Sequence, residues 1–161
     1  MTKQPNIVMI ITDQQRADTM ACYGNSIIKT PNLNKLADES FVFENAYVSQ
    51  PICTPSRSTI LTGIYPHATG CVRNNLPLDA DSLTIAELAP PEYLTAYYGK
   101  WHLGDEVKPQ RGFDEWLSCE DQYRKYYTDD SLLDDLSDYH HYLVGKGYTP
   151  DMVDIGRRTF S

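Results

Sequence analysis

Residues 53–63 read Cys-Thr-Pro-Ser-Arg-Ser-Thr-Ile-Leu-Thr-Gly, and three of those positions decide what the segment does. Pro55 falls where a helix tolerates proline, in the first turn, because the N–H it lacks is one that no intrahelical carbonyl accepts. Gly63 falls where helices end, since it takes the left-handed backbone that closes a C-terminus. A short helix over about Pro55–Thr62 is therefore expected, with Cys53 at or just before its N-terminus. There the free N–H groups and the helix dipole favour an anion, so a bare reading is a nucleophilic thiolate.

Outward from that segment, helices and strands alternate. Asn6–Ile11 is a continuous apolar, β-branched run, as in a strand buried on both faces of a parallel sheet. It ends in Thr12-Asp13-Gln14-Gln15, polar groups at the strand edge where open α/β sheets bind ligands. Thr30-Pro31 reads as an N-cap and first helical position, opening a helix over Asn32–Glu39. Phe41–Phe43 and Ala46–Val48 read as a second strand region. Ser82 caps a helix over Leu83–Ala89 that Pro90-Pro91 stops. Tyr93–Tyr98 reads as a strand, with Gly99-Lys100-Trp101-His102-Leu103-Gly104 at its carboxyl end. The pattern predicts an α/β fold, a doubly wound, mostly parallel sheet with flanking helices.

After Gly112 the character changes. Residues 119–148 are rich in Tyr, Asp and Leu, and Asp129, Asp130, Asp134, Asp135 and Asp138 among Leu132, Leu133, Leu136 and Tyr139 suggest an amphipathic helix with an acidic face. The aspartates lack a D-x-D-x-D-G calcium loop and are read as that helix's solvated face. The organisation expected is a sheet-forming part over 1–118 and an acidic, Tyr-rich helical insertion or tail over 119–161.

Composition narrows the functions. The 161 residues are 41% hydrophobic with a formal charge of −8, so no basic stripe is available for nucleic acid. An anionic substrate would have to be met by particular Lys and Arg residues or by a metal ion. The apolar run of five near the N-terminus is too short to cross a membrane or to serve as a secretion signal, which gives no membrane association and a cytoplasmic location as expectations. Cys22, Cys53, Cys71 and Cys119 show no C-x-x-C spacing, so neither a zinc site nor a redox pair is signalled.

C-x-P-S-R-x-x-x-L-x-T-G resembles the signature of the type I, formylglycine-dependent sulfatases of the alkaline phosphatase superfamily. Gly99–Gly104 is similar to their second signature, and Arg111-Gly112-Phe113-Asp114 to the sequence that follows it. The resemblance covers the whole chain as the N-terminal part of a sulfatase catalytic domain. It implies a sulfuric ester hydrolase, arylsulfatase- or choline-sulfatase-like, acting on a small-molecule sulfate ester. Cys53 would be oxidised to formylglycine by a formylglycine-generating or sulfatase-maturating enzyme. The hydrated aldehyde offers one hydroxyl to attack sulfur and a second whose deprotonation expels sulfate. Asp13, Gln14 and Cys53 are implied as ligands of a divalent metal, calcium first, with magnesium or manganese as alternatives. Arg57 would hold the diol, Lys100 would reach a sulfate oxygen, and His102 would bind a formylglycine hydroxyl and take its proton. Asn74 and Asn75 read equally as pocket-lining or as turn residues. His67, His140 and His141 have no motif behind them.

Three departures from the family pattern carry consequences. Gln14 stands where many sulfatases have a second Asp. It keeps open a phosphonate or phosphodiester hydrolase of the same superfamily. Ala89–Tyr93 looks one residue short and implies an altered turn. Sulfatases of this type are several times longer, so a missing C-terminal half, weak metal binding and little turnover by the chain alone are expected, as is the alternative of a non-catalytic truncated fragment.

Overall fold

The computed structural model describes residues 4–150, and these divide into two compact units, Met1–Tyr47 and Val48–Ser161. In the first, Pro31–Asp38 forms helix α1, close to the expected bounds. The Thr30 side chain does not cap it: the hydroxyl accepts the Ala21 N–H at 3.0 Å and donates to Asn34 at 3.1 Å. Two single 3₁₀ turns, Ala17–Thr19 and Ala21–Tyr23, precede it. The expected strand over Asn6–Ile11 is not formed, and neither are those over Phe41–Phe43 and Ala46–Val48. A strand is defined by a hydrogen-bonded neighbour, and among the described residues none pairs with these runs.

In the second unit helix α2 spans Cys53–Thr62, beginning two residues before the expected start, so Cys53 is its first residue. Gly63 closes α2 with φ 71°, its N–H returning to the Thr59 carbonyl at 2.8 Å. A single-turn helix α3, Pro66–Thr69, follows and packs against α2. Strands β1, Ala96–Gly99, and β2, Glu115–Ser118, pair in parallel with Ala96 opposite Glu115 and Gly99 opposite Ser118. A parallel pair needs a crossover rather than a tight turn, and the crossover here, residues 100–114, carries Lys100 and His102.

The helix expected over Leu83–Ala89 is a turn instead. Ser82 is not its cap. Thr84 and Glu87 form the reciprocal pair, with the Thr84 N–H on Glu87 Oε2 at 2.8 Å and the Glu87 N–H on Thr84 Oγ at 3.3 Å. The expected turn near Pro90 is present, Tyr93 N–H reaching the Pro90 carbonyl at 3.0 Å. The acidic segment is also not one amphipathic helix. It forms 3₁₀ turns at Arg124–Tyr126 and Asp130–Leu132, then α4 over Asp138–Gly145. Two of its aspartates tie it to the rest of the unit: Asp129 accepts from Ser131 and Lys108, and Asp138 accepts from the Ser118 N–H at 2.7 Å, docking α4 to the end of β2. The tail beyond 150 lies outside the described residues.

The core gathers Leu61 of α2, Cys71, Leu78, Trp101, Leu103 and Trp116 of β2, with Tyr97 and Phe113 packed against it. The alternation along β2 turns Trp116 and Ser118 inward and Glu115 and Leu117 outward. Tyr97 stacks on Trp116 at 4.9 Å and meets Trp101 edge-on at 5.2 Å. Arg111-Gly112-Phe113-Asp114 braces this unit. The Arg111 guanidinium lies 3.3 Å from Glu87 and donates to the Asp79 carbonyl at 3.1 Å, while Asp114 accepts the Thr95 N–H at 2.9 Å. The second unit is an α/β structure built on a parallel strand pair.

Candidate active site

Helix α2 and the crossover after β1 hold the candidate residues of the second unit. Cys53 is half-buried at the first position of α2. Thr54, fully buried behind it, gives its N–H to Asn74 Oδ1 at 3.0 Å, satisfying one donor that the helix leaves open. Ser56 Oγ turns back to the Cys53 carbonyl at 3.2 Å.

Arg57 follows one turn later and is 8% exposed. Its Nη1 donates to the Lys100 carbonyl at 2.6 Å and lies 3.3 Å from the Tyr97 hydroxyl, which itself donates to the same carbonyl. Burial pushes the Tyr97 phenol above its ordinary value, with the Arg57 charge opposing. Arg57 is therefore not a surface ion-pairing residue. It fastens α2 to the carboxyl end of β1 and brings its positive charge to the Lys100 backbone. The Lys100 ammonium stands 3.4 Å from Glu120 Oε1, both side chains largely buried. Glu120 also borders a cavity of about 200 Å³ shared with Cys119, Asp121, Ser137 and His140.

His102 is the most constrained of the set. It is 4% exposed, and its backbone has φ 58°, a region a non-glycine residue enters at a cost of about 1–3 kcal/mol. Glu106 offsets that cost, accepting the His102 N–H at 2.7 Å and the Trp101 N–H at 3.2 Å. The imidazole stacks on Tyr123 at 4.2 Å, its Nε2 is 2.7 Å from Asn75 Oδ1, and the His102 carbonyl accepts from Thr54 Oγ at 2.7 Å. Glu106 is 1% exposed, and desolvation drives its carboxyl up to about 8 against the lowering effect of the His102 N–H.

The structure thus brings Arg57 to Lys100 and links Cys53, through Thr54, to His102. Asp13 and Gln14 belong to the first unit. Both are exposed, and Gln14 turns the chain with φ 57°. Their oxygens suit a hard cation, but two donors fall short of its coordination number. Among the described residues no three His, Cys, Asp or Glu side chains gather as a metal-binding group, so the donor set fits in kind and is incomplete in count. Asn74 and Asn75, left open between pocket and turn, both support the site, Asn75 with φ 64°. Glu106, Tyr97, Glu120 and Tyr123 escaped the sequence reading, since nothing in the spacing of a lone acid or tyrosine announces a contact across the fold. Thr54 sits inside the motif, and its hydroxyl beside a helix start was the one available signal.

An α/β chain with a cysteine at the head of a helix, backed by a buried arginine and faced by a Lys-x-His turn, defines the class. The sulfatase family model matches residues 5–152, and the chain belongs to that family. It is 38% identical over 155 residues to an N-acetylglucosamine-6-O-sulfatase of Bacteroides thetaiotaomicron, covering 94% of this chain and 26% of that one. To an ulvan-active sulfatase of Formosa agariphila it is 42% identical over 140 residues, covering 80% of this chain and 27% of that one. Among solved structures it resembles BT4656 in complex with D-glucosamine-2-N,6-O-disulfate, with TM-score 0.64 and 37% identity over 71% of this chain and 23% of that one. It also resembles Ps i-CgsB in complex with k-i-k-neocarrahexaose, with TM-score 0.66 and 28% identity over 99% of this chain and 36% of that one. The chain spans about a quarter of the length of these curated relatives.

Proposed function

We propose that this chain carries the nucleophile and part of the anion-binding half of a sulfate ester hydrolase. The observation that supports it is the linkage of the Cys53 helix to both members of the Lys-x-His turn, Arg57 to the Lys100 carbonyl at 2.6 Å and Thr54 to the His102 carbonyl at 2.7 Å. Converted to formylglycine, residue 53 supplies a hydrated aldehyde whose two hydroxyls divide attack on sulfur from release of sulfate. A divalent cation, calcium before magnesium or manganese, would supply charge neutralisation for the sulfuryl oxygens, and Asp13 and Gln14 offer oxygens of the kind it takes. Around these groups, Lys100 presents a point charge to a sulfuryl oxygen. Arg57 holds positive charge at the base of the helix and orients residue 53. The His102 ring, clamped on Tyr123, takes a proton from the hydroxyl that expels sulfate. One relative is named an N-acetylglucosamine-6-O-sulfatase and another an ulvan-active sulfatase, which makes a sulfated carbohydrate the first substrate class to try.

Gln14 favours a second reading, a phosphonate or phosphodiester hydrolase, because a neutral amide ligand leaves the site less anionic. Co-expression with a formylglycine-generating enzyme should exchange the sulfur and two hydrogens of Cys53 for oxygen, read by intact mass. An unmodified thiol would point to a non-catalytic role. Turnover of an aryl sulfate against an aryl phosphonate monoester is then measured on the longest gene product carrying these residues. Lys100→Ala is expected to lower kcat/KM for the sulfate by roughly a hundredfold. Faster turnover of the phosphonate would install the second reading.

A further inference from the structure

Thr54, Asn75 and His102 close a ring of hydrogen bonds in which each donor has one acceptor. The Asn75 N–H donates to Thr54 Oγ at 3.2 Å, Thr54 Oγ–H donates to the His102 carbonyl at 2.7 Å, and His102 Nε2 meets Asn75 Oδ1 at 2.7 Å. An amide oxygen cannot donate, so the last contact requires the hydrogen to sit on Nε2.

The sequence of steps around the ring reinforces that assignment. Thr54 has one hydroxyl hydrogen, and the His102 carbonyl takes it, so its oxygen is left to accept from Asn75. That bond, with φ 64° at Asn75, aims the Asn75 side chain back at the histidine. Asparagine is a residue type that combines tolerance of a left-handed backbone with a short side-chain acceptor. Glu106 anchors the His102 N–H and Tyr123 stacks on the ring face, so the imidazole is restrained on its backbone, its face and its Nε2 edge.

We infer that Asn75 and Thr54 are positioning residues that hold His102 with a hydrogen on Nε2 and fix the orientation of its ring. The placement of that hydrogen stands on the ring of contacts alone; its catalytic meaning rests on the hydrolase reading above. Neither residue is required to touch substrate. They act through the histidine, and Thr54, the residue directly after Cys53, joins the arrangement to the head of α2.

The test is long-range ¹H–¹⁵N NMR of the 161-residue chain labelled at histidine, with the His102 signals assigned by their loss in His102→Gln. A His102 with a proton on Nε2 is expected. Asn75→Gly keeps the left-handed backbone accessible and removes only the acceptor, and should convert the pattern to one exchanging between tautomers. Asn75→Asp keeps an acceptor and should keep the proton on Nε2. A wild-type Nδ1–H pattern, or an Asn75→Gly pattern identical to wild type, overturns the inference. In the matured full-length protein, Asn75→Gly should lower kcat at least tenfold with KM little changed, and Asn75→Asp should recover part of it. If the Nε2 hydrogen is as stated and no sulfate or phosphonate ester is turned over, the hydrolase reading has failed and the positioning of His102 has not. If turnover is normal in Asn75→Gly, the hydrolase reading stands and the catalytic meaning of the ring is lost.

Discussion

In the unit from Met1 to Tyr47, five consecutive apolar side chains, Ile7 to Ile11, stand 41–85% exposed, and no described residue there is buried. From Val48 onward Trp101 and Cys71 are wholly buried and a continuous aromatic cluster runs from Tyr97 to Trp116. The two regions do not differ in the supply of apolar residues. They differ in whether neighbours along the chain give those residues something to pack against and give their backbone a hydrogen-bonding partner. Residues 53–118 contain their own helix, their own strand pair and a crossover that folds back on both. Hydrophobicity becomes structure only where the partner is present, and the candidate active-site residues with fixed surroundings are those of the second region.

The sharpest way to break that contrast is at Trp101. Trp101→Ala removes a fully buried indole that meets Tyr97, Phe113 and Trp116, and should destabilise the second unit by about 3–5 kcal/mol. Denaturant unfolding followed by near-ultraviolet circular dichroism reads this directly, and a loss under 1 kcal/mol would mean the cluster is not a core. Gly112 comes next. A Cβ there would stand 2.5 Å from the Glu87 backbone nitrogen and 2.8 Å from its Cα, at a backbone φ of 82°. Gly112→Ala should therefore cost about 3 kcal/mol, through both clash and strain.

The same contrast explains what the sequence could disclose. Helices α1 and α2 were legible because proline, the closing glycine and the apolar spacing are local signals, and a helix makes its hydrogen bonds within itself. Strands were legible only as apolar runs. Tyr93–Tyr98 forms a strand at Ala96–Gly99 because Glu115–Ser118 lies alongside, while Asn6–Ile11 has the better β composition and pairs with nothing described. Leu83–Ala89 has helical residues, yet Thr84 gives its hydroxyl to the Arg111 carbonyl at 2.7 Å, a contact across the fold that favours the turn. At the site, Cys53, Arg57, Lys100 and His102 were legible as residue types with spacing. Of the groups that hold them, Asn75 was legible only as a pocket-lining or turn residue, and Glu106 and Tyr123 were invisible because the spacing of a lone acid or tyrosine announces no contact.

Glu106 sharpens the comparison through pH. Burial raises its carboxyl from 4.5 to about 8, so between those values the folded chain keeps a proton that the unfolded chain has released. Its contribution to stability is complete below the lower value and is lost as pH rises through the upper one, with a slope of at most roughly 1.4 kcal/mol per pH unit. Urea midpoints of the second unit measured from pH 5 to 8 should fall. In Glu106→Gln, which cannot titrate, that slope should flatten. The amide should also lower stability by about 1–3 kcal/mol, since its NH₂ faces one of the two N–H donors the carboxyl accepts. An unchanged slope would assign the pH response to other groups.

The smallest effect belongs to the first unit and is the most direct test of its character. Ile10 is 85% exposed, so exchanging it for serine removes almost no buried apolar area. Ile10→Ser should therefore change unfolding free energy by no more than about 0.5 kcal/mol, and its main consequence should be greater solubility, because it interrupts an exposed β-prone segment. The same substitution at a buried apolar position of the second unit, Leu61→Ser at 5% exposure, should cost several times more, since it combines a cavity with a buried hydroxyl. A loss above 2 kcal/mol for Ile10→Ser would show that the run is covered in solution, by a second copy of the chain or by contacts within it. Light scattering of the two proteins at matched concentration separates those outcomes, because cover by a second copy makes the loss of stability and the loss of mass appear together.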